Sequence, residues 1–204
     1  MTVAKGQGKR TRPGLTVDRI VDAALMLLDE QGLAGLTTTT LTRRLGVSQP
    51  AFYSHFESLE DLRTAIAVRG VRELGAIVEA AVDGKTGDEA IDAMAHAYRD
   101  YVRAHPDRYL LQLSTPASQE YSDVAERTAE VVRDVLRGYG LDKRQVVEAH
   151  VALRAAIHGF VHLEARDALG PSSSAADHFD FFITLFAAGL RSMAPGRARR
   201  PARR

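Results

Sequence analysis

Apolar positions along this chain recur almost everywhere at helical spacing. From Val17 onward Ile20, Val21, Ala24, Leu27 and Leu28 form one stripe, with Thr16 placed to cap it and Gly32 to stop it. Leu33 and Leu36 then return the chain to a core. "TTTTLTRRLG", residues 37–46, puts Leu41 and Leu45 on one face, with Thr37 as a cap and Gly46 as a left-handed stop. Four consecutive threonines would also suit a strand. Cap, apolar pair and glycine together favour a short helix. "LGVSQPAFYSHF" follows, with Ser48 as a cap, Pro50 in the first turn and Phe52 and Phe56 four apart on one face.

The pattern then predicts a long helix over about 59–81, a loop at "DGKTGD", and a helix marked by Ile91, Met94, Tyr98 and Tyr101 that "HPD" ends at 105–107. "RYLLQLS" reads as a short apolar helix, and 119–138 and 143–169 as longer ones. After "GPSSSAAD", a closing helix carries Phe179, Phe182, Ile183, Phe186 and Leu190 on one stripe. Neither repeats nor alternating strands are found. The expectation is an all-α protein of about nine helices: a basic arm over 1–14, a three-helix unit over 15–60, a larger helical unit over 61–193 and a basic tail over 194–204.

Composition narrows the classes. The chain of 204 residues has no cysteine, which excludes a disulfide scaffold and suits a reducing cytoplasm. No apolar run reaches the roughly 18 residues of a membrane span, and the N-terminus lacks the apolar stretch of a secretory signal. Net charge is only +1, yet Lys5, Lys9, Arg10 and Arg12 crowd one end and Arg197, Arg199, Arg200, Arg203 and Arg204 the other. Such ends suit a polyanion or serve as solubilising termini.

Two short helices joined by a Gly-containing turn and braced by a longer helix describe a helix-turn-helix, whose second helix enters the DNA major groove. Phe52 and Phe56 would hold that helix to the core. Gln49, Pro50, Ala51, Tyr53, Ser54 and His55 would stay on open faces beside Ser48. Glutamine can pair two-pronged with adenine, and Pro and Ala can touch a thymine methyl. Tyr and His suit phosphate oxygens, as do Thr38, Thr39, Arg43 and Arg44 from the preceding helix. The alternative is a helical corner that only packs.

Residues 16–62 resemble the N-terminal domain of the TetR family of bacterial transcriptional repressors. The resemblance rests on Gly-Leu-Thr at 35–37, Leu-Gly-Val-Ser at 45–48, Phe-Tyr-x-His-Phe at 52–56 and Ser-x-x-x-Leu at 58–62. "VSQPAFYSH" is most similar to the recognition helix of the tetracycline repressors. Leu59 departs from the pattern, standing where family members usually carry a lysine that helps hold a phosphate, and Thr39 stands where many carry arginine. A weaker phosphate clamp is expected unless the basic arm compensates.

The resemblance implies a helical C-terminal domain that binds a small effector and dimerises through its last two long helices. "HPDRYLLQL" and "LRAAIHGFVHLEA" resemble a subset named for a Trp-His-Gly pattern; His158 and Gly159 fit, but the chain has no tryptophan. A helical glycine costs about 1 kcal/mol against alanine, which a close helix crossing would offset. His158, Gly159, Phe179, Phe182, Phe186 and Leu190 are therefore the expected dimer contacts, with ordinary core as the alternative. Met94, Tyr98 and Tyr101, joined by Leu110 and Leu113 of the next helix, are candidate effector contacts or core. His158 and His162 are four apart, but no third ligand or His-Glu-x-x-His pattern accompanies them, so no metal is expected. No catalytic motif, and so no enzyme or cofactor, is expected. The expected function is a cytoplasmic homodimeric repressor that binds a palindromic double-stranded operator, is released by a small molecule and has no membrane partner. An all-helical binding or interaction protein with a vestigial DNA-binding head is the alternative. A nucleoid-type binder and a helical enzyme acting on an apolar substrate are further ones.

Overall fold

The structure, a computed structural model, describes residues 14–170 and 174–194, so the sequence's basic arm and nearly all of its basic tail lie outside the described residues. Among the described residues there are nine α-helices and no strand. None of these helices is long and apolar enough to cross a membrane. The chain divides into two compact units, one ending at Leu62 and the other starting at Arg63.

The smaller unit holds α1 (Val17–Gly35), α2 (Thr38–Leu45), α3 (Gln49–Tyr53) and the start of α4 (Leu59–Val82). Thr16 caps α1 by accepting from the Arg19 N–H at 3.2 Å. Gly32 interrupts it with φ 67° and ψ −174°, a conformation open to glycine alone among common residues. The break turns Leu36 inward, where it is buried. The threonine run is helical because its hydroxyls serve the backbone. Thr37 and Thr40 form a reciprocal capping box, each accepting the other's N–H at 3.1 Å. The Thr40 hydroxyl also donates to the Gly35 carbonyl at 2.6 Å, and that of Thr42 to the Thr38 carbonyl at 2.8 Å. These local bonds decide between helix and strand. Gly46 closes α2 in the left-handed region, φ 67° and ψ 36°. α3 is anchored by Phe52, which is fully buried and stacks on Phe56 with ring centroids 5.7 Å apart.

The larger unit continues α4 and adds α5 (Gly87–Ala104), α6 (Pro106–Ser114), α7 (Gln119–Arg137), α8 (Lys143–Glu164) and α9 (Ala175–Met193). α8 stops at Glu164, short of the 169 expected from the sequence. Ala168 N–H turns back to the Leu163 carbonyl at 2.9 Å and Asp167 takes a left-handed φ of 52°. Leu74, Ile91, Val102, Leu136, Leu153 and Phe179 belong to the core of this unit.

Among the described residues, one cation, Arg99, is buried in that core. Arg99 of α5 meets Glu164 of α8 through two hydrogen bonds, 2.9 and 2.6 Å long, and its guanidinium carbon lies 5.0 Å from the Phe179 ring centroid on α9. Its side chain is 5% exposed and that of Glu164 14%, so little water screens the pair. The Arg99 hydrogen bonds hold the Glu164 carboxyl below the ordinary carboxylate range, against the opposing effect of burial.

Removing one partner strands the other, so Glu164→Ala should lower unfolding free energy by about 3–5 kcal/mol in chemical denaturation near pH 7. Because the folded-state pKa is depressed, the pair's contribution is complete above the ordinary carboxylate pKa and is lost as pH falls through the folded value. Glu164→Gln should therefore show a shallower loss of stability on acidification than the wild type. An unchanged acid profile would assign the acid sensitivity elsewhere.

Candidate functional site

The short helix α3 presents an exposed polar face because Phe52 and Phe56 fix its other side. Gln49, Pro50, Ser54 and His55 are exposed, Tyr53 is half exposed, and Ala51 is half-buried. The Tyr53 ring rests edge-on against Phe52, with centroids 5.1 Å apart, and is half exposed. Gln49 Nε2 lies 3.4 Å from Thr39 Oγ1, so α2 and α3 present one continuous polar surface. Thr38 is half-buried and Arg43 exposed, with no carboxylate partner among the described residues. Ser48 occupies the N-cap position, but its hydroxyl makes no cap bond; its carbonyl instead receives the Ala51 and Phe52 N–H groups at 3.1 and 3.3 Å. The Ser54 hydroxyl donates to the Ala51 carbonyl at 2.7 Å. Arg44, expected beside Arg43 as a phosphate contact, turns back to α1 and forms a two-pronged ion pair with Glu30 at 2.6 and 2.7 Å. The sequence spacing gave its face but not this competing carboxylate. α4 opens on Leu59, Glu60 and Asp61, with Ser58 Oγ accepting the Asp61 N–H at 3.0 Å. Its first turn supplies no cation.

A second feature is a mostly apolar cavity of about 120 Å³ in the larger unit. Met94 and Tyr98 line it, together with Val71 and Leu74 of α4 and Ile157 of α8. Tyr101, Leu110 and Leu113 do not. Tyr101 shares the helix face of Met94 but lies two turns farther along, where its hydroxyl donates to the Gly70 carbonyl at 3.4 Å. Leu110 is half-buried off the wall, and Leu113 is 51% exposed. Spacing along one helix fixes direction around its axis; the cavity's depth is set by other helices. Gln112, Tyr121, Thr128, His150 and Arg154 also line the cavity, and no local pattern marked them.

His158 belongs to this cavity and not to an outer face. Its Nδ1 lies 2.7 Å from the Tyr109 hydroxyl and its Nε2 3.1 Å from that of Tyr98. Burial, then the nearby Arg154 charge, push its pKa down to about 4, so the ring is neutral at pH 7. Burial likewise pushes Tyr109 up to about 12 and raises Tyr98. His96 contrasts with it. Its ring nitrogens face the Asp92 carbonyl at 3.0 Å and the Asp180 carboxylate at 2.9 Å. Burial opposes its charge, but those hydrogen bonds together outweigh burial and raise its pKa.

The third feature is an apolar outer surface on α8 and α9. Phe179, expected there, is fully buried against Phe160 and Arg99, and Leu190 is also buried. The closing stripe is broader than one face: Phe179, Ile183 and Leu190 point inward, while Phe182 and Phe186 are half-buried at its edge. Outside stand Phe181 at 69% exposure, Leu185 at 62% and Val151 at 58%. Ala152, Phe182, Phe186 and Gly189 line an open apolar groove between the two helices. Gly159 is exposed with open space where a Cβ would sit, so no neighbour among the described residues requires it to be glycine.

The chain is similar to known proteins along most of its length. Residues 20–66 match the description "bacterial regulatory proteins, tetR family", and residues 91–186 match "tetracyclin repressor-like, C-terminal domain". The chain is 35% identical over 179 residues to the uncharacterized HTH-type transcriptional regulator Rv0681 of Mycobacterium tuberculosis, covering 86% of this chain and 82% of that one. BioQ, in a crystal structure with its double-stranded DNA operator, superposes with a TM-score of 0.66 at 26% identity, covering 87% of this chain and 99% of BioQ. A TetR variant from Acinetobacter baumannii in complex with minocycline superposes with a TM-score of 0.65 at 26% identity, covering 87% and 97%.

The two histidines should titrate apart. In NMR titration His158 should titrate near 4 and His96 above the ordinary histidine value of 6.5. The raised pKa of His96 adds stability that is complete below the unfolded value and lost as pH rises through the folded one. The depressed pKa of His158 acts oppositely: as pH falls from about 6.5 toward 4 only the unfolded chain takes its proton, and stability drops. His158→Gln should flatten that drop, and a wild-type slope in this variant would overturn the assignment.

Proposed function

We propose a specific role for this chain, which belongs to the tetR family of bacterial regulatory proteins and is a transcriptional regulator with a helix-turn-helix DNA-binding domain: it represses transcription as a homodimer on a palindromic operator and leaves that operator when a small molecule fills its cavity. The observation that carries the reading is the exposed polar face of α3, held outward by the buried Phe52. In this reading Gln49 reads a base edge, with Pro50 and Ala51 touching neighbouring bases. Tyr53, Ser54, His55, Ser48, Thr38, Thr39 and Arg43 contact the backbone. The basic arm adds a salt-dependent attraction without sequence preference. Residues 15–60 form the DNA-binding domain and 61–193 the effector-binding and dimerisation domain, and the protein acts in the cytoplasm.

The homodimer forms through the outer surface of α8 and α9. Exposed Phe181, Leu185 and Val151 support it, since apolar surface of that kind is depleted on monomers and enriched at interfaces. Gly159 and Gly189 let a partner helix approach closely. A two-fold dimer sets its α3 helices about 34–36 Å apart, or a multiple, to meet successive major grooves. Effector release acts through α4, which supplies Val71, Leu74 and Val78 to the cavity wall and whose first residues follow α3 in the chain. The minocycline complex of a similar protein supports a small-molecule effector, and operator-bound BioQ supports the DNA partner.

Gel-shift and footprinting on DNA flanking its own gene test the reading. Gln49→Ala should cost about 1–3 kcal/mol at the cognate site while leaving random-DNA affinity and melting temperature unchanged. Full operator selectivity in that variant would remove Gln49 from the reading set. Leu185→Glu, at a position already exposed in the single chain, should give a folded monomer by analytical ultracentrifugation and abolish the full-palindrome footprint. A variant that stays dimeric would move the interface elsewhere.

A further inference from the structure

The cavity wall has one sign of charge. Among the described residues that line it none is Asp or Glu, and the exposed Arg154 brings the guanidinium charge that every arginine carries. Arg154 has no carboxylate partner among the described residues. Its helical neighbours one turn away are His150, Val151, Ile157 and His158, so α8 itself offers none. Arg99, by contrast, is buried and paired. Arg154 acts through space on Tyr98, Tyr109, His150 and His158, which places its charge beside the polar end of the cavity.

One further polar group of the wall, Tyr121, is placed to donate. Tyr121 accepts a hydrogen bond from Gln112 Nε2 at 2.9 Å, which leaves its own O–H proton for another acceptor. Both nitrogens of His158 are occupied by tyrosine hydroxyls, so that ring is a satisfied floor rather than an anchor. The rest of the wall is largely apolar, built from Val71, Leu74, Val78, Met94, Val132 and Ile157 among others. An apolar cavity of about 150 Å³ holds a benzene-sized guest, so the 120 Å³ here suits a body of about six carbons.

We propose that the effector is a small apolar monoanion, a single-ring or short-chain carboxylate, whose carboxylate sits on Arg154 with help from the Tyr121 hydroxyl and whose body fills the apolar end. This rests on the effector-binding reading above and deepens it. Arginine suits a planar carboxylate because its fork donates two parallel hydrogen bonds. A neutral isostere would leave that cation without its counter-charge, and a cation would be repelled.

The test uses isosteric probes on the full chain by isothermal titration calorimetry: phenylacetate, 2-phenylethanol and 2-phenylethylamine, and hexanoate, 1-hexanol and hexylamine. Each carboxylate should bind about tenfold or more tighter than its alcohol, with the amine weakest. Arg154→Gln should erase the preference while keeping residual alcohol binding, Arg154→Lys should retain part of it, and Ala129→Phe, which puts a ring into the cavity from a residue of its wall, should abolish all binding. Melting temperatures control for folding. Alcohols binding as well as carboxylates, no probe binding at all, or a preference that survives Arg154→Gln would each overturn the proposal. Operator gel-shifts on the same preparations separate the two readings. A protein that shifts operator DNA but shows no carboxylate preference sinks this inference alone, and one that binds carboxylates at Arg154 but shifts no operator sinks the repressor reading alone.

Discussion

The buried Arg99 guanidinium ties three helices of the larger unit together. A charge removed from water must meet an opposite charge and hydrogen-bond acceptors or it does not stay. Glu164 supplies both, and the Phe179 ring face adds a cation–π contact 5.0 Å from the guanidinium carbon. The three residues lie on α5, α8 and α9, so one interaction fixes the register of three helices. Apolar packing alone tolerates sliding more readily, because it has no direction. With α9 held in this way, Phe179 faces inward with Ile183 and Leu190, while Phe181 and Leu185 on the other side of the helix face out.

α8 then has to serve two surfaces at once. Successive residues point about 100° apart on a helix, so neighbours in sequence part company in space. His158 turns to the cavity and closes on Tyr98 and Tyr109, while Gly159 turns outward to open space. The same division separates Arg154, on the cavity margin, from Val151, which is exposed. α8 therefore supplies residues both to the cavity wall and to the apolar outer surface.

The smaller unit works on a different principle. Its geometry is fixed by local bonds: the Thr37–Thr40 capping box, the left-handed Gly46 and the Phe52–Phe56 stack. A five-residue helix has too few internal hydrogen bonds to stand alone, so the buried Phe52 holds α3 in place and leaves the opposite face unconstrained by packing. That freedom is what permits Gln49, Pro50, Tyr53 and His55 to be chosen for something other than the core.

Caps, stops and helical spacing lie within a few residues of one another, and those the sequence determined. It placed the helix-turn-helix, the short α3 with its polar face and the succession of helices, because every interaction involved spans one or two turns. It could not decide between partners distant in the chain. Arg44 looked like a second phosphate contact until Glu30, fourteen residues earlier, claimed it. His158 and Phe179 looked like interface residues until Tyr98, Tyr109 and Arg99 from other helices took them inward. Met94, Tyr98 and Tyr101 share one helix face, yet only the first two reach the cavity, because its walls come from α4, α6, α7 and α8 as well. Helical periodicity gives a residue's direction about its own axis; the neighbour that waits in that direction is supplied only when the helices pack.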